Sequence, residues 1–362
     1  VTRSRALQVC PNDHPPFLEL CRGHAAALAA AGCDVDTVFL GAPRGRRWNA
    51  ATYLGIDRGT RAMIGGLRRH CGSNAYRLVV MHRYRAYQVS TRARIDAADY
   101  VTVAHEYGMF ERRRRRVRQR LLGRDVAFAG VSQAVVDEMR RLHPSLRRSF
   151  VLPNPVDVAA FDRARLTRAD ARSALGIADR AYAIGVVGRL HPEKRPLLAL
   201  ESFAGAALPA EAQLVFVGDG ALRESLETRA RALGVAARVR FAGHVVDAAR
   251  HLAAFDVSLV TSGPTEAFGM SVLEAMVAGV PVVCADQAGP RSVLGPDGRY
   301  FAGGVPELTV ELGRVAALSP TERERLCRAQ RERAEREFAL PAVAEIYRRL
   351  LNTGVLRPAG AS

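Results

Sequence analysis

The stretch PTEAFGMSVLEAMVAGVPVV (264–283) gathers residue types suited to a phosphorylated ligand. Glu266 and Glu274 flank seven residues, Gly269 lies between them, and a helical pattern begins near Met270. A loop feeding a helix N-terminus presents unbonded backbone N–H groups and the positive end of a dipole, which suits a diphosphate. Glu274, one to two turns into that helix, is placed to accept two vicinal hydroxyls such as those of ribose, since an ionised carboxylate is an acceptor only. Glu266, just before the helix, can reach a sugar beyond the phosphates. The alternative is a pair of solvated surface carboxylates, against which the apolar neighbours and Gly269 count.

A second constellation is VVGRLHPEKR (186–195), where Arg189 and Lys194 follow an apolar strand and bracket the turn made by Pro192. Two cations at the carboxyl end of a strand can neutralise a departing diphosphate. Lys194 is the only lysine in the chain, against 52 arginines. A compact ammonium meets a phosphate as a point charge, which a planar guanidinium does not. His105 ends the apolar run YVTVAH, where it can hydrogen-bond a ligand or relay a proton, or simply fill a structural position. His82 ends RLVVMH in a similar way.

These residues need a scaffold, and the chain spells one out twice. In residues 1–155 the runs 6–10, 34–40, 77–82, 100–106 and 126–132 read as strands, with helices at 20–32 and 133–142. After SFVLPNPVD (149–157), read as a linker, strands recur at 182–190, 212–220, 238–244, 257–263 and 280–285. Unbroken apolar strands alternating with helices indicate parallel sheets covered on both faces. The expectation is an α/β chain of two doubly wound domains, 1–155 and 156–340, with a ligand cleft at the strand ends. A helix at about 341–362 is left to pack back on the first domain.

At 362 residues, 48% of them hydrophobic and 25% charged, the composition suits two globular domains. No apolar run approaches the roughly 20 residues of a membrane span, and VTRSRALQVCPND reads as too polar for a secretory signal. A cytoplasmic location is expected. Cys10, Cys21, Cys33, Cys71, Cys284 and Cys327 show no CxxC pair, so neither a disulfide frame nor a metal site is expected. Charge is lopsided: residues 1–155 carry 27 Arg against 12 acidic residues, and the remainder 26 basic against 24 acidic. Arg112, Arg113, Arg114, Arg115 and Arg116 open a segment with eight arginines between 112 and 124. An anionic membrane surface or phosphorylated glycolipid fits that run, a solvated face is the plainer alternative, and nucleic acid lacks the aromatic stacking residues it would need.

The succession GRLHPEK (188–194), VFVGDG (215–220), VRFAGH (239–244) and TEAFGMSVLEAMVAGVPVV (265–283), with VSQAV (131–135) and VLPNPVD (151–157), resembles family 4 GT-B glycosyltransferases. The resemblance covers about 130–360. It implies a retaining, metal-independent transferase without a cofactor, using a nucleoside diphosphate sugar of the UDP or GDP type. It puts Arg189 and Lys194 on the donor phosphates, Glu274 on ribose and Glu266 on the transferred sugar. Backbone N–H groups of Phe268, Gly269 and Met270 would meet sugar and phosphate, Gly218 and Gly220 the nucleotide side, and His244 and Val245 the base. His105 would stand near the reacting sugar. Two departures are visible: PNDHPPF (11–17) replaces the usual paired glycines, and Asn154-Pro155 replaces the linker's NG. HRYRAYQ (82–88) with AHEYGMFERRRRR (104–116) is loosely similar to enzymes of the lipopolysaccharide core, implying a glycan or glycolipid acceptor and peripheral contact with the inner face of the inner membrane. A soluble small-molecule acceptor and a noncatalytic nucleotide-sugar-binding protein are the alternatives.

Overall fold

The computed structural model describes residues 3–15, 17–45, 47–121, 126–146 and 148–353. Pro16 of the 11–17 turn, Arg124 of the arginine run and the end of the helix expected at 341–362 therefore lie outside the described residues. Two compact units emerge, one formed by Val1–Pro155 with the chain from Phe338 onward, the other by Val156–Glu337.

The first unit is a seven-stranded parallel sheet of order β3-β2-β1-β4-β5-β6-β7. Its strands are β1 (Ser4–Cys10), β2 (Cys33–Phe39), β3 (Ala51–Tyr53), β4 (Ala75–His82), β5 (Asp96–Ala104), β6 (Ala127–Gly130) and β7 (Ser149–Val151). The central runs LVVM of β4 and YVTVA of β5 are buried on both faces, as strands sandwiched between helices must be. The segment 149–157, expected as linker, begins instead as the edge strand β7, paired in register with β6 from Phe128 to Gly130. Three β-rich residues before the prolines are enough to extend the sheet by one strand, and the prolines then stop it. The helix Leu340–Thr353 buries Val343, Ala344 and Tyr347, and it packs on the helix Phe17–Ala30.

The second unit is a six-stranded parallel sheet of order β10-β9-β8-β11-β12-β13. Its strands are β8 (Ala183–Val187), β9 (Gln213–Val217), β10 (Val239–Gly243), β11 (Val257–Val260), β12 (Val282–Ala285) and β13 (Arg299–Phe301). Ile184, Phe203, Phe216, Leu259 and Val283 are among the residues that fill its core. Each fully buried side chain of this size stabilises by about 1.5–3 kcal/mol, which is what fixes the strand ends in place.

Both sheets reverse strand order at one point, between β1 and β4 in the first unit and between β8 and β11 in the second. Such switch points open a crevice at the carboxyl ends of the strands, where ligands of doubly wound sheets bind. Among the described residues no helix is long and apolar enough to cross a membrane.

Candidate functional site

The second unit brings the two constellations together at its switch point. β8 runs into Gly188, Arg189 and a short 3-10 turn, Pro192–Lys194, while β11 runs into Thr261–Glu266. Two bonds tie these loops to each other: Thr261 Oγ1 donates to the Lys194 carbonyl at 2.7 Å, and Gly263 N donates to the Glu193 carbonyl at 2.8 Å. Across them Lys194 Nζ meets Glu266 Oε2 at 2.5 Å, with side-chain exposures of 30% and 19%. Arg189 is more open and lies 3.7 Å from Glu193. A cavity is lined by Gly188, Arg189, Lys194, Thr261, Ser262 and Ser271, among others. Thr261, Ser262 and Ser271 were not singled out from the sequence. Their only sequence signal is that they follow a buried strand or open a helix.

The helix Met270–Ala278 starts from Gly269, whose φ of 102° suits glycine, and neither a side-chain cap nor an acidic first turn covers that end. Val272 N and Leu273 N donate to the Gly269 carbonyl, which leaves the Met270 and Ser271 N–H groups without a helical acceptor at the positive end of the dipole. Phe268 is buried, and Gly289 holds the loop from behind: a Cβ there would lie 2.0 Å from the Glu266 carbonyl oxygen. Gly289 was also missed by sequence reasoning, its only signal being the Gly-Pro pair after β12.

Glu274 sits in the second turn of this helix, half-buried, with no hydrogen-bond or ion-pair partner among the described residues. Burial pushes its carboxyl up to about 7. A carboxylate desolvated without compensation is costly unless a ligand supplies donors.

Gly218 and Gly220 follow β9 and press on the β8 turn. A Cβ on Gly218 would lie 2.0 Å from the Gly188 carbonyl oxygen, and Leu190 N donates to the Asp219 carbonyl at 2.9 Å. The glycines thus let two backbones approach, and they position the Arg189 turn. Gly218 N also donates to the Gly243 carbonyl at 2.8 Å, which puts exposed His244 and half-buried Val245 next in line along the same edge.

His105 belongs to the first unit, at the end of β5, and is 7% exposed. Its Nδ1–H donates to Asn154 Oδ1 at 3.1 Å, and its Nε2 accepts from His82 Nδ1 at 2.8 Å. Burial holds both imidazoles well below their ordinary pKa, so each is neutral. Both nitrogens of His105 are therefore occupied by protein, and a ligand bond to Nε2 would have to replace His82. A third buried ring, His24, bonds Tyr347 Oη at 2.9 Å, and burial lowers its pKa to about 4. Among the described residues these three histidines form a group that could hold a metal ion, with ligand atoms within 4.8 Å of one another. They come from three separate elements, which local ligand spacing in the sequence does not reveal. Both nitrogens of His105 are engaged by protein, whereas His24 Nε2 and His82 Nε2 are buried without a hydrogen-bond partner among the described residues.

The arginine run divides in two. Arg115 donates to the carbonyls of Gly108 and Met109, and Arg116 to those of Phe110 and Glu111. These two fasten the loop after β5 through its carbonyls. Arg112, Arg113 and Arg114 are exposed.

Residues 167–308 match the family described as glycosyl transferases group 1. The D-inositol 3-phosphate glycosyltransferase of Geodermatophilus obscurus is 36% identical over 196 residues, which is 49% of this chain and 43% of that one. The lipopolysaccharide core biosynthesis glycosyltransferase LpsE of Rhizobium meliloti is 33% identical over 197 residues, 54% of each chain. The chain thus spans about half the length of these relatives. HepE of Anabaena, solved in complex with UDP, superposes with a TM-score of 0.79 at 18% identity, covering 96% of this chain and 100% of that one. WaaG, a glycosyltransferase involved in lipopolysaccharide biosynthesis, gives 0.69 at 18% identity, with the same coverage. With the two parallel sheets, these likenesses identify the chain as carrying a glycosyltransferase group 1 domain on a GT-B fold.

Proposed function

We propose that the chain is a retaining glycosyltransferase that moves a sugar from a UDP- or GDP-type donor to a hydroxyl of a growing glycan, in the lipopolysaccharide core or another lipid-linked saccharide. The observation that carries this is the grouping of Lys194, Glu266 and an unpartnered Glu274 around an uncapped helix N-terminus. The ribose hydroxyls would supply the donors that Glu274 lacks. The diphosphate would take the helix N–H groups together with Lys194 and Arg189, and Glu266, released from Lys194, would turn to the transferred sugar.

In the transfer, the bond between the sugar's anomeric carbon and the phosphate oxygen breaks, and the electron pair leaves with the diphosphate. The acceptor hydroxyl attacks from the same face, and its proton passes to the departing phosphate oxygen. Charge on that leaving group is met by fixed cations and backbone dipoles, which is where preorganised electrostatics lower a barrier most. Two cations and a helix dipole fill the role a divalent ion would otherwise take, so the reaction is metal-independent in this reading. Arg112, Arg113 and Arg114 would hold the first unit on the anionic inner face of the inner membrane, near a glycolipid acceptor. LpsE supports a lipopolysaccharide acceptor by its name, whereas the inositol phosphate enzyme's name supports a soluble one.

Turnover of a panel of UDP- and GDP-sugars, with and without EDTA, tests the reading, with the product anomer assigned by NMR. Sugar transfer or slow donor hydrolysis that resists EDTA and preserves the anomeric configuration is expected. Inversion, or loss of turnover in EDTA, would remove the retaining or the metal-independent part. Nucleotide-sugar binding without any turnover would leave a noncatalytic binder.

A further inference from the structure

Three histidine side chains meet inside the first unit. His24 comes from the helix Phe17–Ala30, His82 ends β4 and His105 follows β5. One nitrogen of each lies within 4.8 Å of the others. The ring centres are 5.0 Å apart for His24 and His82, 5.1 Å for His82 and His105, and 5.7 Å for His24 and His105. Zinc–nitrogen bonds of about 2.0–2.1 Å in a tetrahedral array put the centres of neighbouring imidazole rings roughly 5.2 Å apart. The three observed separations bracket that value. All three residues, and the side chains that hold them, belong to one compact unit.

Such spacing also suits three rings that are merely packed, and the hydrogen bonds separate the two cases. His24 Nδ1 pairs with Tyr347 Oη at 2.9 Å, and His105 Nδ1 donates to Asn154 Oδ1 at 3.1 Å. Anchoring one ring nitrogen so that the other is aimed is how metal-ligating histidines are held. His24 Nε2 and His82 Nε2 are buried and have no hydrogen-bond partner among the described residues, although buried polar atoms are nearly always paired. Burial lowers the pKa of all three rings, so each is neutral near neutrality and keeps the lone pair that ligation needs.

Charge and access are compatible with an ion. The neighbouring Arg83 is paired with Glu106 at 2.6 Å, which offsets the one guanidinium felt by His82 and His105. His105 is 7% exposed and borders a cavity at the carboxyl ends of β4 and β5, which gives an ion a way in.

We propose that His24, His82 and His105 bind one divalent transition-metal ion, of the zinc and cobalt kind, with water in a fourth position. Imidazole nitrogens without carboxylates suit such ions, whereas magnesium and calcium take oxygen ligands. On binding, His82 and His105 exchange their mutual hydrogen bond of 2.8 Å for bonds to the ion. The ion braces the first unit where the helix Phe17–Ala30 meets β4 and β5. Through Tyr347 it also ties in the helix Leu340–Thr353. It has no part in sugar transfer, so the proposal goes beyond the transferase reading and does not rest on it.

Cobalt(II) titrated into the full, untagged chain after chelator treatment tests this through its visible spectrum. One equivalent should give the intense d–d bands of a four-coordinate ion without a thiolate charge-transfer band, and one equivalent of zinc should abolish them. His24→Gln and His82→Gln should each weaken binding about a hundredfold or more, and Tyr347→Phe, which frees His24 Nδ1, about 10–100-fold. His70→Gln, which alters a ring bonded to Asp36, should change nothing. X-ray absorption on the zinc-loaded parent needs no variant and should count three imidazole nitrogens at about 2.0–2.1 Å. The proposal is overturned by the absence of four-coordinate bands, by binding that survives both His24→Gln and His82→Gln, by its loss in His70→Gln, or by sulfur around the zinc. None of these readouts uses turnover, so a chain that fails to transfer sugar leaves the metal site standing, and a chain that binds no metal leaves the transferase reading standing.

Discussion

Lys194 Nζ lies 2.5 Å from Glu266 Oε2, so the chain's only lysine and the first carboxylate of its EX7E pair neutralise each other. They are 72 positions apart and meet because β8 and β11 are neighbours at the point where strand order reverses. A diphosphate arriving at the helix Met270–Ala278 would compete for Lys194 and release Glu266. In the proposed reading the ion pair is the arrangement of these two groups before the donor arrives.

Replacing Lys194 separates charge from packing. Lys194→Ala should lower turnover by about 10²–10³-fold, comparable to the loss of one preorganised oxyanion donor. Lys194→Arg should retain more activity than Ala yet less than the parent, because its fork meets the diphosphate differently. Steady-state kinetics on a fixed nucleotide sugar reads this directly. Parent-like activity in Lys194→Ala would remove the phosphate role.

Glu274 predicts opposite effects on stability and binding. Its carboxyl titrates near 7 in the folded chain against 4.5 as its ordinary value. Between those values the folded state holds a proton that the unfolded state has released, so this group's contribution to stability falls as pH rises from about 4.5 to about 7. Glu274→Gln keeps the shape and abolishes the titration. At pH 8 the ligand-free variant should therefore be more stable than the parent by about 1–3 kcal/mol, with little difference at pH 5. Its nucleotide affinity should nevertheless drop by about 1.5–3 kcal/mol, the worth of hydrogen bonds to a charged group. Melting curves at the two pH values, paired with nucleotide titrations, check both signs. A stability gap independent of pH would contradict the raised carboxyl, and unchanged affinity would contradict the ribose assignment.

The divided arginine run predicts two phenotypes from one segment. Arg112, Arg113 and Arg114 are exposed, and each basic residue at an anionic surface contributes about 1 kcal/mol within a Debye length of ~8 Å. Changing all three to Gln should weaken binding to anionic vesicles by about 3 kcal/mol at low salt and leave the melting temperature unchanged. Arg115→Gln and Arg116→Gln should instead destabilise the chain, since they strip hydrogen bonds from four backbone carbonyls of residues 108–111. Co-sedimentation and thermal unfolding distinguish the pair. Equal vesicle binding by the triple variant and the parent would sink the membrane contact.

The central strands were legible in the sequence because buried parallel strands are short, nearly continuous apolar runs, as LVVM, YVTVA and LVFV are, whereas the short edge strands β3 and β13 were not. The spacing of Glu266, Gly269 and Glu274 was legible because a helix start is a local pattern. Contacts between distant segments were not. Nothing near Lys194 names Glu266 as its partner, nothing near His105 names His82 and Asn154, and Gly289 looks like any loop glycine until the Glu266 carbonyl is seen against it. Nor does a run of five arginines show that Arg115 and Arg116 turn back onto the carbonyls of their own loop. The edge strand β7 was hidden by the prolines that follow it.

The proposed function requires the second unit to bind a nucleoside diphosphate sugar through Lys194, Glu274 and the helix Met270–Ala278. Thermal unfolding of the full chain against a panel of UDP-, GDP- and other nucleotide sugars, with Lys194→Ala in parallel, addresses it most directly. One donor class at 100 times its dissociation constant should stabilise the parent by about 2.7 kcal/mol, and the variant by clearly less at the same concentration. If no nucleotide sugar shifts the parent, or if the variant is stabilised equally, the donor does not bind at the end of β8 beside Lys194.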